Sequence, residues 1–130
     1  MAERTGETAL LVCIDLDNMK AANDRYGHAA GDQALVEMAA LLRGTFRGSD
    51  LTARLGGDEF CVLIPRGAAQ GGLAIDRLRE AVAARSGSFP PLSLSIGSAE
   101  ADGSCSIEQL INRADATMSE EKAARHTAGA

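Results

Sequence analysis

Tryptophan is absent, tyrosine occurs once and phenylalanine three times, so aromatics supply only 3% of the 130 residues. A core must therefore be built from Leu, Ile, Val, Ala and Met. No apolar run approaches the roughly 18 residues of a membrane span, so no membrane partner is expected for this chain. The stretch from Met1 to Ala9 is polar and lacks the apolar segment of a signal peptide. Cysteine is sparse, odd in number and without metal-ligand spacing. Cys13 and Cys61 sit in apolar runs and read as small core residues, while Cys105 falls in a polar loop. A reduced, cytoplasmic setting follows as the expectation. Basic residues are in deficit, 13 against 18 acids, for a formal net charge of −5. That argues against a nucleic acid polymer, which needs a basic stripe. A single small phosphate ligand is still compatible, provided a bound metal brings the missing positive charge. The two histidines, His28 and His126, have no further nitrogen or sulfur ligand beside them.

The apolar residues present have clear periodicities. Ala9 to Ile14 is a continuous apolar run, as in a strand buried on both faces, and it stops at Asp15. Asn18 to Tyr26 has short helical character and breaks at Gly27. From Gly31, the positions Leu35, Met38, Ala39, Leu42 and Phe46 recur at helical spacing. Leu51, Ala53 and Leu55 alternate with Thr52 and Arg54, a glycine pair turns the chain, and Phe60 to Ile64 returns as a second strand. A helix from about Gln70 to Ala84 and a strand over Leu92 to Ile96 follow. Ser106 with Gln109 fits a capping box ahead of a last helix carrying Ile107, Leu110, Ile111, Ala114 and Met118, and the tail is expected to fray from Ala123. The order predicts an α+β, ferredoxin-like βαββαβ domain, with a mixed sheet flanked by helices and the first strand beside the hairpin.

Two acidic clusters sit where apolar runs end. Asp15-Leu16-Asp17 closes the first strand, and Gly56-Gly57-Asp58-Glu59 forms the hairpin turn. Strands lying side by side would bring these acids together as a cation site, next to a turn whose missing side chains leave room for a phosphate or purine. Taken singly, Gly-Gly also makes a plain hairpin and an acid also caps a turn.

The combined pattern resembles the GGDEF domains, diguanylate cyclases that join two GTP into cyclic di-GMP. The first block of resemblance is Asp15-Leu16-Asp17-Asn18-Met19-Lys20, Asn23-Asp24, Tyr26-Gly27-His28 and Gly31-Asp32. The second is Arg47-Gly48-Ser49-Asp50 with Ala53 to Phe60. The third is Ser95-Ile96-Gly97, Arg113-Ala114-Asp115 and Lys122. The resemblance implies a palm-like fold shared with nucleotidyl cyclases and polymerases. It implies Mg²⁺ or Mn²⁺ held by Asp15, Asp58 and the Leu16 carbonyl, with Asp58 and Glu59 as catalytic residues, Glu59 serving as a second ligand or as a base. Backbone amides at Asn18 and Met19, together with Gly56, Gly57 and Lys122, would meet the phosphates. Asn23 and Asp32 would read guanine, although Asp32 after Gly31 also suits a helix N-cap. Arg47 and Asp50, helped by Arg77 from a neighbouring domain, would form an inhibitory site for the product cyclic di-GMP. Each domain would bind one GTP, so catalysis would need a homodimer, brought about by an attached sensory or receiver domain.

The chain also departs from the family. The expectation is a single GGDEF domain over 1–130 lacking the family's N-terminal helix. Met19 stands where Phe is usual, Ser119 where Tyr is common, and Arg125-His126-Thr127 replaces Gly-Arg-Asn. These departures keep open a catalytically weak module sensing GTP or cyclic di-GMP, and a ferredoxin-like interaction domain without a ligand.

Overall fold

A computed structural model describes residues 8–17, 19–46, 51–65, 71–85, 92–101 and 103–128. Its elements are β1 (Leu10–Leu16), α1 (Met19–Tyr26), α2 (His28–Thr45), β2 (Leu51–Gly56), β3 (Glu59–Ile64), α3 (Gly71–Ala83), β4 (Leu94–Glu100) and α4 (Ile107–Ala128). The strands form one sheet in the order β2-β3-β1-β4. All seven residues of β1 are buried, as its unbroken apolar run predicts for a central strand.

The sheet is not mixed: all three strand pairings are antiparallel. Each helical crossover joins two parallel strands that are not neighbours. β3 lies between β1 and β2, and β1 lies between β3 and β4. The parallel relations therefore never become ladders, while the α+β class and ferredoxin-like order hold.

Alternation along β1 divides the core in two. Leu10, Val12, Ile14 and Leu16 join Phe60 and Val62 of β3, Ala34, Met38 and Leu42 of α2, and Leu78 of α3. Leu11 and Cys13 point to the other face, against Cys61 and α4 residues Leu110, Ala114 and Met118. α4 comes close to β4 because Gly97 has no side chain. A Cβ there would lie 2.3 Å from both the Ala114 oxygen and the Met118 nitrogen.

Several boundaries differ from the sequence pattern. β1 runs on through Asp15 and Leu16, since Asp15 is paired with Glu59 on one side and Ser95 on the other. β4 begins at Leu94 and extends to Glu100, because Gly97 to Glu100, poor strand formers alone, pair with β1. α2 begins at His28, after Gly27 turns the chain with φ 91. Asp32 is therefore inside α2 and is not its N-cap. α4 does not fray at Ala123 but continues to Ala128, in keeping with its helix-favouring Glu, Lys and Ala. The capping box forms as expected: Ser106 N–H donates to Gln109 Oε1 at 2.9 Å, and Gln109 N–H to Ser106 Oγ at 3.1 Å.

Candidate active site

The polar end of the α4 face collects side chains from four places in the sequence. β1 supplies Asp15, the β2–β3 turn supplies Asp58, β3 supplies Glu59, and α4 supplies Asp115 and Lys122. Strand register brings the first three together: Asp15 is opposite Glu59, and the Leu16 N–H donates to the Asp58 carbonyl at 3.1 Å. Asp15 is 8% exposed. Its Oδ2 accepts from Lys122 Nζ, while its Oδ1 is buried with no partner.

Burial pushes the Asp15 carboxyl above its ordinary range. Lys122 opposes that shift and the neighbouring Asp58 adds to it. Glu59 is pushed up to about 7, first by burial, then by Asp115, and then by Asp15 and Asp58. Glu59 Oε2 and Asp115 Oδ1 are likewise buried without partners. The Lys122 ammonium is shifted upward by its bond to Asp15. Repelling carboxylates with unsatisfied oxygens are the environment that a hard divalent cation relieves, so this donor set fits one.

Asp115 has no role legible in the sequence beyond its place in the family pattern. Its spacing of two helical turns from Lys122 is the available signal, since both then lie on one face of α4. With Cys13 and Glu59 it forms a group whose ligand atoms all lie within 4.8 Å of one another. Burial, then Asp115 and Glu59, push the Cys13 thiol up to about 12. Asp17 has a structural role instead. It accepts from Ser95 Oγ at 2.8 Å and Ser93 Oγ at 3.2 Å, tying the end of β1 to β4.

The glycine turn beside these acids is open. Gly56 has φ 149 and Gly57 φ 50, and a Cβ added at either would meet nothing within 4 Å. Arg54 holds the turn by donating from Nε and Nη2 to the Gly57 carbonyl at 2.9 and 2.6 Å.

Asn23 and Asp32 lie at the α1–α2 junction. The Asn23 side chain fits against Gly31, where a Cβ would come 2.1 Å from its Oδ1, and that oxygen is buried without a partner. Asp32 is exposed one residue further along α2. Met19 packs its side chain against the larger core cluster at the start of α1. Arg77 is exposed on α3, whose core contacts lie on the sheet face opposite α4, so it is not part of the acidic group. Asn18, Arg47 and Asp50 lie outside the described residues.

An α+β sheet with an acidic cluster beside an open glycine turn has known counterparts. The chain matches the family described as diguanylate cyclase, GGDEF domain, over residues 1–128, and it belongs to that family. It is 38% identical over 124 residues to diguanylate cyclase DgcS of Shewanella oneidensis, covering 94% of this chain and 42% of DgcS. It is 39% identical to diguanylate cyclase DgcP of Pseudomonas aeruginosa, covering 93% of this chain and 19% of DgcP. The chain thus spans less than half the length of either relative. Among solved structures, the GGDEF domain of YfiN from P. aeruginosa superposes with a TM-score of 0.82 at 39% identity, covering 93% of this chain and 80% of that one. The GGDEF domain of DgcB from Caulobacter crescentus, solved in complex with c-di-GMP, gives 0.83 at 30% identity, covering 95% and 77%. Among the described residues, no helix is long and apolar enough to cross a membrane.

Proposed function

We propose that this domain is a diguanylate cyclase module that condenses two GTP into cyclic di-GMP and pyrophosphate, working in the cytoplasm, where its three free cysteines stay reduced. The carrying observation is the meeting of Asp15, Asp58 and Glu59 beside the open Gly56–Gly57 turn. Asp15, Asp58 and the Leu16 carbonyl would hold Mg²⁺ or Mn²⁺. When bound, that ion neutralises triphosphate charge and favours ionisation of a ribose 3′-hydroxyl.

The chain's own groups do the rest. The bare turn admits the phosphates against the backbone, with the amides at Asn18 and Met19 and the Lys122 ammonium as further contacts. Asn23 and Asp32 offer an amide and a carboxylate to the guanine edge. Glu59, which faces Asp15 across the strand pair, is the carboxylate placed to accept the 3′-hydroxyl proton. The 3′-oxygen then bonds to the α-phosphorus of the second GTP as the bond to the pyrophosphate oxygen breaks. Two domains must face each other, each with one GTP, and an attached sensory or receiver domain would bring them together. Arg47 and Asp50, helped by Arg77 of a neighbouring domain, would bind the product as an inhibitor.

Fusion of the chain to a dimerising coiled coil, incubated with GTP and Mg²⁺, should yield cyclic di-GMP by chromatography, and Asp58→Ala should abolish it. A folded dimeric fusion that makes none would refute the catalytic reading. GTP or cyclic di-GMP binding without turnover would identify a sensor module instead.

A further inference from the structure

The buried stripe of α4 runs through Leu110, Ala114 and Met118 at four-residue intervals, and Lys122 is its next member. The facing stripe of β1 runs through Leu11, Cys13 and Asp15 at two-residue intervals. Both stripes are largely apolar along the sheet and turn charged at the same end, where Lys122 Nζ donates to Asp15 Oδ2. Neighbouring contacts pin the helix in this register. Arg79 donates to Glu121 at 3.2 and 2.9 Å, and Glu121 also accepts the Ile96 N–H at 3.3 Å. Lys122 satisfies only one of the two Asp15 oxygens, since Oδ1 remains buried and unpartnered. The lysine therefore sits on half of a carboxylate whose other half still needs a cation.

We propose that Lys122 is a placeholder cation that pairs with Asp15 until a divalent ion takes that carboxylate, and then turns to the nucleotide phosphates. The proposal rests on Asp15 as a metal ligand and goes further by giving Lys122 two alternating partners. A half-buried carboxylate cluster with no positive charge is costly, and Lys122 offsets that cost in the nucleotide-free protein. A divalent ion arriving alone at Oδ1 repels the ammonium held on Oδ2 of the same carboxylate and weakens its pairing there. An ion arriving with a triphosphate supplies the ammonium with another anion. Metal and nucleotide thus favour each other's binding through Lys122, in addition to any direct contact between them, and the coupling is reciprocal.

Mn²⁺ binding to the full chain, read from the signal of free Mn²⁺ by electron paramagnetic resonance, tests this without any turnover. Wild type, Lys122→Met, Lys122→Arg and Asp15→Asn would be compared alone and with a non-hydrolysable GTP analogue, after circular dichroism has established that each is folded. Without nucleotide, Lys122→Met should bind Mn²⁺ about tenfold tighter than wild type, equivalent to about 1.4 kcal/mol. The analogue should strengthen Mn²⁺ binding less in Lys122→Met than in wild type. Lys122→Arg, which keeps a cation, should stay near wild type. Asp15→Asn should lose Mn²⁺ binding in both conditions. If Asp15→Asn loses Mn²⁺ but Lys122→Met binds it no tighter than wild type, the placeholder role is overturned and the metal site stands. If Asp15→Asn binds Mn²⁺ as wild type does, or no form binds it, the metal reading fails, and the placeholder with it.

Discussion

Replacing Gly97 by alanine should damage both the fold and the site, and by an amount that the structure bounds. An added Cβ would lie 2.3 Å from the Ala114 oxygen, 2.3 Å from the Met118 nitrogen and 2.4 Å from Thr117 Oγ1. Two of those neighbours are backbone atoms of α4, so a side-chain rotation cannot make room. The helix has to move off β4, loosening the Ser98 N–H bond to Thr117 Oγ1, now 2.9 Å, and the cluster around Leu11, Leu110, Ala114 and Met118. Overpacking of this kind costs about 1–3 kcal/mol. For a domain of this size that lowers Tm by roughly 4–12 °C. Because α4 also carries Asp115 and Lys122, the variant should lose the Lys122–Asp15 pairing and bind GTP more weakly. Gly72→Ala is the control, since a Cβ there meets nothing within 4 Å on exposed helix, and it should be neutral or stabilising by up to about 1 kcal/mol. Thermal melts followed by circular dichroism compare the two. A Gly97→Ala protein melting within a degree of wild type would show that α4 does not rest on β4 as described.

The acidic group gives a pH dependence of definite sign. Glu59 is raised from 4.5 to about 7 in the folded chain, and Asp15 is raised as well, so the folded state holds more protons than the unfolded state in that window. With the metal chelated, stability should therefore fall as pH rises from about 5 to 8, by on the order of 1 kcal/mol once solvent screening is discounted. Asp58, Asp115, Cys13 and Lys122 face the same cluster, and an excess of Mg²⁺ should restore stability at the upper end. Urea melts in EDTA that show equal or greater stability at pH 8 contradict this. Thiol labelling of the native protein should be fast at Cys105 and slow at Cys13 and Cys61, which are buried with thiols shifted upward, and all three should react in denaturant. Gly31→Ala should leave Tm within a few degrees, because the Asn23 side chain it strikes can rotate away. On the proposed guanine role of Asn23 it should still weaken GTP binding at least severalfold by calorimetry, and unchanged affinity would remove Asn23 from that role.

Much of the fold was legible because hydrophobic spacing is a local property of the chain. The continuous run before Asp15 marks a strand buried on both faces, and the Gly56–Gly57 pair marks the hairpin. The repeat of Leu110, Ala114 and Met118 marks a helix face, and Ser106 with Gln109 marks where that helix starts. Other boundaries were illegible for the same reason. Gly97 to Glu100 has little strand preference, and only pairing with β1 makes it a strand. Nor does composition distinguish a mixed sheet from an antiparallel one, because that depends on which strand each crossover skips.

Residue types and their spacing along the chain determined the elements, the family and the set of acids and glycines available for chemistry. They did so because periodicity, turn formation and ligand preference are carried by individual side chains. Which oxygens remain unsatisfied was decided only in three dimensions. Register places Asp15 against Glu59, the close approach at Gly97 seats α4, and that seating brings Asp115 and Lys122 to carboxylates far away in sequence. Burial and mutual repulsion exist only once those groups share a low-dielectric space, so the raised Glu59 carboxyl and the Lys122–Asp15 pair are properties of the tertiary structure alone.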